Sequence, residues 1–198
     1  EKHDFKIFAD ECYSEIYRNS APVGALQVAH DIGADPERLV VFHSLSKRSN
    51  LPGLRSGFAV SGPKNIKEMK QLRNYSGAPN PTPLQAVAAA AWSDENHVVE
   101  NRKLYQKKYQ IADNIFKNIK GYNAPQAGFF LWLPVENDEQ ATLNLWKQSG
   151  IRVLPGSYLS RNVDNKNPGE KYIRVAMVAP FSETKLGLQT IKDNLYTL

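Results

Sequence analysis

Lys47 is the residue of this sequence best placed to act as a nucleophile. A Ser-Leu-Ser segment separates it from the apolar run Arg38–His43, which predicts a strand followed by a loop that carries the lysine. A lysine amine condenses with aldehydes to form Schiff bases, and the nearby cations Arg48 and Arg55 would favour its neutral, reactive form. Taken alone the signal is weak, because a lysine at a strand end is usually only solvated.

Two hydroxyls and a guanidinium close to Lys47 could hold a phosphate group. Ser44 and Ser46 precede the lysine, and Arg55 follows it by eight positions across the turn Leu51–Leu54. A guanidinium forms paired hydrogen bonds with phosphate oxygens, and hydroxyls add further ones. The alternative for Arg55 is an ordinary turn arginine paired with a surface acid.

A second set of polar residues follows the apolar run Phe5–Ala9, which predicts a buried strand. Asp10 ends this strand, and a buried carboxylate requires a cation beside it, such as a protonated ring nitrogen or an arginine. Tyr13 comes three residues later, so its hydroxyl could reach the same ligand. Cys12 is small enough to let a flat ring approach, or it fills the core; in neither case is it expected to be a nucleophile.

Arg174 lies inside the apolar run Tyr172–Ala176, which predicts a strand late in the chain. Its guanidinium needs an anionic partner for the same reason that Asp10 needs a cation. An internal ion pair and a carboxylate ligand are equal alternatives at this point.

The first half of the chain alternates between apolar strands and helices, which predicts an open α/β sheet. In such sheets ligands collect at the carboxyl ends of strands, where Asp10 and Lys47 fall. The predicted strands are Phe5–Ala9, Arg38–His43 and Gly57–Val60, and the predicted helices are Asn65–Arg73 and Pro83–Trp92.

A long amphipathic helix is predicted from Asp94 to about Lys120, with Gly121 as its stop. The sequence after this helix shows short apolar strand patterns and helical patterns, which predict a small α+β unit. We therefore place a domain boundary within this helix. The expected strands of that unit are Gly128–Pro134, Ile151–Leu154 and Tyr172–Val178, and its expected helices are Ala141–Gln148 and Glu183–Leu195.

Composition favours a globular protein, with 41% hydrophobic and 23% charged residues. No apolar run approaches a membrane span, no signal peptide opens the sequence, and the single cysteine excludes an internal disulfide, so we expect a cytoplasmic protein without membrane or metal partners. The net charge of +5 raises the possibility of nucleic-acid binding. Because the basic residues alternate with acidic ones along predicted helices, solvated faces are the favoured explanation.

The start of the chain suggests a fragment. Glu1 is not a methionine, and the segment Glu1–Asp4 runs straight into an apolar strand without a helix cap. We therefore expect the last turn of a helix whose beginning is absent.

Taken in order, these residues resemble a known pattern. Asp10 and Tyr13 in an Asp-x-x-Tyr motif, a Ser-x-Ser-Lys motif ending at Lys47, an arginine eight residues beyond it and a late strand arginine are similar to class I/II aminotransferases of fold type I. The stretches Asp10–Tyr17 and His43–Gly57 look most like N-succinyldiaminopimelate aminotransferases and their aspartate-aminotransferase-like relatives. The resemblance extends over essentially the whole chain.

The resemblance implies pyridoxal 5'-phosphate as the cofactor and a role for each residue. Lys47 would bind the cofactor as a Schiff base and then shuttle a proton, Asp10 would pair with the pyridine nitrogen, and Tyr13 would hydrogen-bond the phenolic oxygen of the ring. The other implied contacts are Ser44, Ser46 and Arg55 with the phosphate, Cys12 with the ring, Arg174 with the α-carboxylate of the substrate and Gly128 with the substrate.

The resemblance also implies an architecture. Residues 1–93 would be the C-terminal part of a large cofactor-binding domain with a mostly parallel sheet, residues 94–121 a connecting helix, and residues 122–198 a small α+β domain. A homodimer with shared active sites is implied. Because the N-terminal half of the family fold is lacking, residues 1–198 alone are expected neither to hold the cofactor well nor to turn over.

Three functions fit these residues. The favoured one is transfer of an amino group from an amino acid of the N-succinyldiaminopimelate or aspartate/glutamate type to a 2-oxo acid such as 2-oxoglutarate, as in lysine biosynthesis. The second is a β-lyase acting on sulfur amino acids with the same cofactor. The third is a non-catalytic aminotransferase-like domain of a transcription regulator.

Overall fold

The computed structural model describes residues 2–196. They divide into two compact units, one up to Arg102 and one from Lys103 onward, and the division falls within the long helix Asn96–Phe116. The three-segment domain scheme derived from the sequence remains a prediction. No helix in the described part of the chain has the length and apolarity needed to cross a membrane.

The first unit is built on a three-stranded sheet in which β1 (Ile7–Asp10) runs parallel to β2 (Leu39–Ser44), and β2 runs antiparallel to β3 (Gly57–Val60). The predicted α/β class is confirmed. The sheet is parallel only between β1 and β2, because the short connection from β2 to β3 lacks the long crossover that a parallel pair needs. The helices of this unit are α1 (Ala25–Asp31), α2 (Leu45–Arg48), α3 (Pro63–Ser76), α4 (Thr82–Ser93) and the first part of α5 (Asn96–Phe116).

The two parallel strands differ in burial. Leu39, Val40 and Val41 of β2 lie in the core, whereas Ile7 and Phe8 of β1 are more than half exposed. The prediction that β1 is a buried strand is therefore wrong for the described chain. The physical reason is that β1 is an edge strand of this sheet, and an apolar groove alongside it stays open.

The second unit contains an antiparallel sheet with strand order β4–β6–β5. Alternation turns the Leu131 and Ile173 side chains into the core and places Trp132 and Arg174 on the opposite face, which confirms the α+β character of this segment. Its elements are the end of α5, β4 (Phe130–Pro134), α6 (Asp138–Ser149), β5 (Leu154–Pro155), β6 (Tyr172–Ala176) and α7 (Phe181–Leu195).

Three predicted strands of this unit are shorter than expected, and one of them, Tyr172–Val178, ends at Ala176. Ile151–Leu154 is predicted as a strand, but only Leu154–Pro155 pairs with β6, and a 3₁₀ turn follows directly at Gly156. The strand predicted from Gly128 begins at Phe130. Gly128 has a φ of 72°, which lies in the left-handed region and cannot continue an extended strand.

The long helix α5 follows its predicted periodicity. Val98, Tyr105, Tyr109, Ala112 and Phe116 are all buried. The helix begins after Asp94, whose carboxylate accepts a 2.9 Å hydrogen bond from the N–H of Asn96, and it ends at Phe116, earlier than the predicted end near Lys120.

Candidate active site

The carboxyl ends of β1 and β2 lie at the same edge of the sheet. Asp10 is in register with Phe42, and the N–H of Glu11 donates to the carbonyl of Phe42 at 3.0 Å. The segments that follow the two strands therefore meet. Lys47 Nζ lies 5.7 Å from the centre of the Tyr13 ring, so two of the predicted site residues are neighbours.

Lys47 lies in a helical turn and not in the predicted loop. Ser44 is the N-cap of α2, and its Oγ accepts a 3.0 Å hydrogen bond from the N–H of Ser46. Leu45 is fully buried and anchors the turn, while the N–H of Ser49 closes it on the Leu45 carbonyl at 3.1 Å. The serine cap and this buried leucine explain why the segment is helical.

Arg48 is not the free cation beside Lys47 that the sequence suggested. It is buried, forms an ion pair with Glu95 and donates to the carbonyl of Ala91 at 2.9 Å. Its guanidinium carbon lies 5.0 Å from the centre of the Trp92 ring. Arg48 therefore serves as an anchor of the turn, with its charge compensated by a carboxylate.

The three residues predicted to bind phosphate lie around one short connection. The hydroxyl oxygens of Ser44 and Ser46 are 2.8 Å apart, and Ser44 Oγ lies 3.3 Å from the carbonyl oxygen of Ser56, the neighbour of Arg55. Arg55 has a φ of 54° and donates to the carbonyl of Pro52 at 2.8 Å. Within residues 2–196 Arg55 forms no ion pair with an acidic side chain. The alternative hypothesis, a turn arginine paired with a surface acid, therefore does not hold within these residues.

Asp10 is exposed, which corrects the prediction of a buried carboxylate and follows from the edge position of β1. The pKa of its carboxyl group is lowered mainly by two hydrogen bonds from Cys12, one from the thiol and one of 3.1 Å from the backbone N–H. Burial acts in the opposite direction, and the charge of His43 adds a smaller lowering effect. Across the described residues no cationic side chain lies within ion-pair distance of Asp10. The carboxylate is thus ionised at neutral pH and available to a cationic ligand.

Cys12 lies beside this carboxylate as a neutral thiol. Burial, followed by the hydrogen bond to Asp10 and the charge of Asp10, raises the pKa of the Cys12 thiol to about 11, while the charge of Lys47 acts in the opposite direction. A thiol in this state is a weak nucleophile, which suits a residue that only packs against a ligand.

Arg174 occupies the middle strand of the second sheet. Its guanidinium carbon lies 4.4 Å from the centre of the Phe130 ring, and Trp132 and Leu154 are its register partners on the two neighbouring strands. No carboxylate between residues 2 and 196 forms an ion pair with Arg174, so the internal salt bridge that the sequence left open as an alternative does not form within these residues.

Gly128, the other residue predicted to lie near the substrate, precedes β4. Its carbonyl accepts a hydrogen bond from the Tyr109 hydroxyl.

Sequence reasoning missed the residues that hold the Lys47 turn from the other side. His97 bonds the Ser49 hydroxyl across 48 positions of sequence, and Glu95 pairs with Arg48 across 47. The one local signal was the spacing of Asp94 and His97 at the start of a helix, which by itself indicates only a helix cap.

The sequence profile of the family "Aminotransferase class I and II" matches residues 1–187. Among curated proteins, the chain is 32% identical over 172 residues to the 4-dedimethylamino-4-oxo-anhydrotetracycline transaminase OxyQ of Streptomyces rimosus, which covers 86% of this chain and 46% of that protein. It is 29% identical over 195 residues to an LL-diaminopimelate aminotransferase of Dehalococcoides mccartyi, which covers 94% of this chain and 47% of that protein.

Two solved structures share the fold closely. An aminotransferase from Neisseria meningitidis superimposes with a TM-score of 0.91 at 41% identity, over 97% of this chain and 50% of its own. The aminotransferase AspB from Helicobacter pylori gives a TM-score of 0.90 at 35% identity, over 100% of this chain and 51% of its own. The chain spans about half the length of the relatives that it matches. By its profile match over residues 1–187, the chain belongs to the class I and II aminotransferase family.

Proposed function

We propose that the protein is a pyridoxal-phosphate-dependent aminotransferase, with Lys47 as the residue that binds the cofactor. One observation carries this proposal: the carboxyl ends of β1 and β2 bring together the amine of Lys47, the ring of Tyr13 and the Asp10 carboxylate, which has no cationic partner among residues 2–196. Ligands of open α/β sheets bind at such an edge. Family membership indicates the same cofactor.

The chemistry of the donor set fits pyridoxal 5'-phosphate. This cofactor presents an aldehyde, a phosphate and a pyridine nitrogen, and the site offers an amine for the first and a carboxylate for the third. For the phosphate, Arg55 offers a guanidinium without an acidic partner in the described chain, and Ser44 and Ser46 offer hydroxyls. When bound, the cofactor supplies an electron sink for the carbanion of the substrate.

Each side chain around the cofactor would then have a separate role in binding or proton transfer. Lys47 Nζ holds the cofactor and later moves the proton from the substrate Cα. The Asp10 carboxylate keeps the proton on the ring nitrogen, which its lowered pKa allows throughout the neutral range. The Tyr13 hydroxyl donates to the phenolic oxygen of the ring, and Cys12 packs against the ring as a neutral thiol.

Substrate recognition would rest on the second unit. Arg174 would bind the α-carboxylate of the substrate in a bidentate pair, since its guanidinium faces no acid in the described chain and is oriented by the Phe130 ring. Gly128 would lie near the substrate. The proposed donor is an amino acid of the N-succinyldiaminopimelate or aspartate/glutamate type, and the proposed acceptor is 2-oxoglutarate. The LL-diaminopimelate aminotransferases among the relatives support a donor related to diaminopimelate. We further propose a cytoplasmic homodimer with shared active sites.

The test is a panel of amino donors with 2-oxoglutarate, using a holoenzyme that also contains the N-terminal half of the family fold, since residues 1–198 alone are not expected to turn over. The quantity measured is the glutamate formed. We expect turnover with at least one donor of the proposed type. Lys47→Ala should abolish it, and Lys67→Ala, which removes an exposed lysine of α3, should leave it intact. Release of pyruvate from cystathionine without amino transfer would show a β-lyase instead, and bound cofactor without any turnover would favour the regulator.

A further inference from the structure

We infer that the junction between α4 and α5 fixes the helical turn that carries Lys47, and that Ser49, His97 and Asp94 are positioning residues for the reaction. The inference rests on the proposed role of Lys47 and adds three residues that touch neither cofactor nor substrate. It also assigns Arg48 as a further attachment of the same turn.

The turn needs such an attachment because it is very short. The helix α2 has four residues, and a helix of this length is not stable by itself in water. Its N-terminal end is held by the Ser44 cap and by a 3.1 Å hydrogen bond from the N–H of Leu45 to the carbonyl of Ser56. Its C-terminal end, directly after Lys47, depends on contacts with more distant residues.

Arg48 makes the first of these contacts. Its guanidinium donates to the carbonyls of Ala91 and Trp92 at 2.9 and 3.4 Å and pairs with Glu95. Both carbonyls belong to the last turn of α4, where the backbone lacks helical hydrogen-bond partners. Arg48 therefore caps α4 and ties the Lys47 turn to it at the same time.

Ser49 makes the second contact through a chain of hydrogen bonds. Its Oγ lies 2.8 Å from Nε2 of His97, and Nδ1 of His97 lies 2.7 Å from the carboxylate of Asp94. Because an ionised carboxylate only accepts, Nδ1 carries the hydrogen. Ser49 Oγ also lies 3.4 Å from an Arg48 nitrogen that can only donate, so its own hydrogen points to Nε2. In this row of hydrogen bonds, the Ser49 hydroxyl therefore donates to Nε2 of His97, and Nδ1 of His97 donates to the carboxylate of Asp94.

Asn101 makes the third contact, and the three together define the orientation of Lys47. Its side-chain amide donates to the carbonyl of Lys47 at 3.4 Å. Lys47, Arg48 and Ser49 are thus each held by the end of α4, by the junction or by the first turns of α5. Serine, histidine and aspartate also form hydrolase triads, but Ser49 is only 9% exposed and closes the end of a helix, which suits positioning and not attack on a substrate.

Loss of the His97 link should misplace the amine of Lys47 without removing it. A displacement of about 1 Å can lower a rate by up to 100-fold, so we expect a decrease in kcat of roughly 10-fold or more. The KM for the amino donor should stay nearly constant, because neither His97 nor Ser49 is placed against the substrate. A merely structural role would lower the unfolding midpoint and leave kcat per folded molecule unchanged.

The experiment compares holoenzyme variants His97→Ala, Ser49→Ala and Ser49→Thr, with His30→Ala as the control because His30 is an exposed histidine of α1. Four quantities are measured: kcat, KM, the unfolding midpoint and the pH titration of the absorbance band of the lysine-bound cofactor. We expect the two alanine variants at the junction to lower kcat and shift the titration, Ser49→Thr to restore both, and His30→Ala to change nothing.

Two results would overturn the inference. One is a His97→Ala enzyme with normal kcat and normal absorbance. The other is a loss of activity that follows the unfolded fraction alone and is not restored by Ser49→Thr. Failure of the proposed function has a different signature, since the unmodified enzyme would then carry no cofactor on Lys47.

Discussion

The amine of Lys47 lies over the ring of Tyr13, 5.7 Å from its centre, although the two residues follow different strands. The parallel pairing of β1 with β2 creates this proximity, because it aligns Asp10 with Phe42 and sends both following segments to one edge of the sheet. The same edge holds the Asp10 carboxylate. These three groups are the part of the molecule from which the proposed chemistry follows.

Replacement of Asp10 by Asn should lower kcat on the order of 100-fold, the effect typical of removing one electrostatic contact from an active site. The amide cannot hold the proton on a pyridine nitrogen, whereas the carboxylate can at every pH above its lowered pKa. For this reason the activity of the unmodified enzyme should show no loss from this group between pH 5 and 9, a range above the ordinary pKa of an aspartate, 3.8. The measurement is kcat across pH 5–9 for both enzymes.

The matched control for Asp10 is Asp164→Asn. Asp164 is an exposed carboxylate of the second unit at a φ of 49°, a conformation that asparagine also tolerates. It should keep full activity. Equal activity of the two variants would contradict the role of Asp10.

Cys12 should react slowly with iodoacetamide. At pH 8 a pKa of about 11 leaves roughly one thiol in a thousand ionised, against about one in four for an unperturbed cysteine. The rate of alkylation, followed by mass spectrometry, should rise about tenfold per pH unit between pH 8 and 10. Asp10→Asn should accelerate it, because the hydrogen bond and the negative charge both raise this pKa. Rapid alkylation at pH 7 would refute the assignment of a neutral thiol.

Replacement of Arg174 by Lys should raise the KM for the amino donor roughly 10- to 100-fold, because a lysine cannot form the bidentate pair with a carboxylate. The control is Arg152→Lys, since Arg152 also lies over an aromatic ring, 4.5 Å from the centre of Trp146. The KM of the control should be unchanged. A similar rise in both variants would point to stability and not to carboxylate binding.

Lys108 should contribute to the stability of the second unit. Its ammonium group is buried and donates to the carbonyls of Met177 and Ala179 at 2.8 and 2.7 Å. Lys108→Met leaves the Met177 carbonyl without this donor, so the free energy of unfolding should fall by about 1–3 kcal/mol. Lys107→Met, which changes the exposed neighbour, should have almost no effect.

The pH dependence of this effect has a defined sign. Burial lowers the pKa of Lys108 below its ordinary value of 10.5, so between the two pKa values the unfolded chain binds more protons than the folded one. The stability of the unmodified protein relative to Lys108→Met should therefore increase as the pH rises toward 10.5. A decrease over that range, measured by urea unfolding, would contradict the burial of this charge.

The sequence alone predicts the helices and strands that are marked by a pattern of neighbouring residues. Apolar runs marked β2 and β3, and the spacing of Val98, Tyr105 and Phe116 marked α5, because burial on one face of a helix leaves a period that can be counted. The order of the polar residues after the strands also indicated which of them should meet. The exposure of Phe8 and Asp10 could not be seen in this way, since burial depends on what packs against a strand.

The remaining features depend on contacts between distant residues. The turn that carries Lys47 is too short to show a period, and it is helical because Ser44 caps it and Leu45 is buried. The link from Ser49 to His97 joins a strand-end turn to the start of a later helix. No spacing rule connects two such positions, so only the folded chain shows that they touch.

The most direct test of the central proposal is to locate the lysine that binds the cofactor. An enzyme that also contains the N-terminal half of the family fold is loaded with pyridoxal 5'-phosphate, reduced with borohydride and digested, and the labelled peptide is sequenced by mass spectrometry. We expect the label on Lys47, its loss in Lys47→Ala and its retention in Lys67→Ala. A label on another lysine, or none on the loaded enzyme, would contradict the proposal.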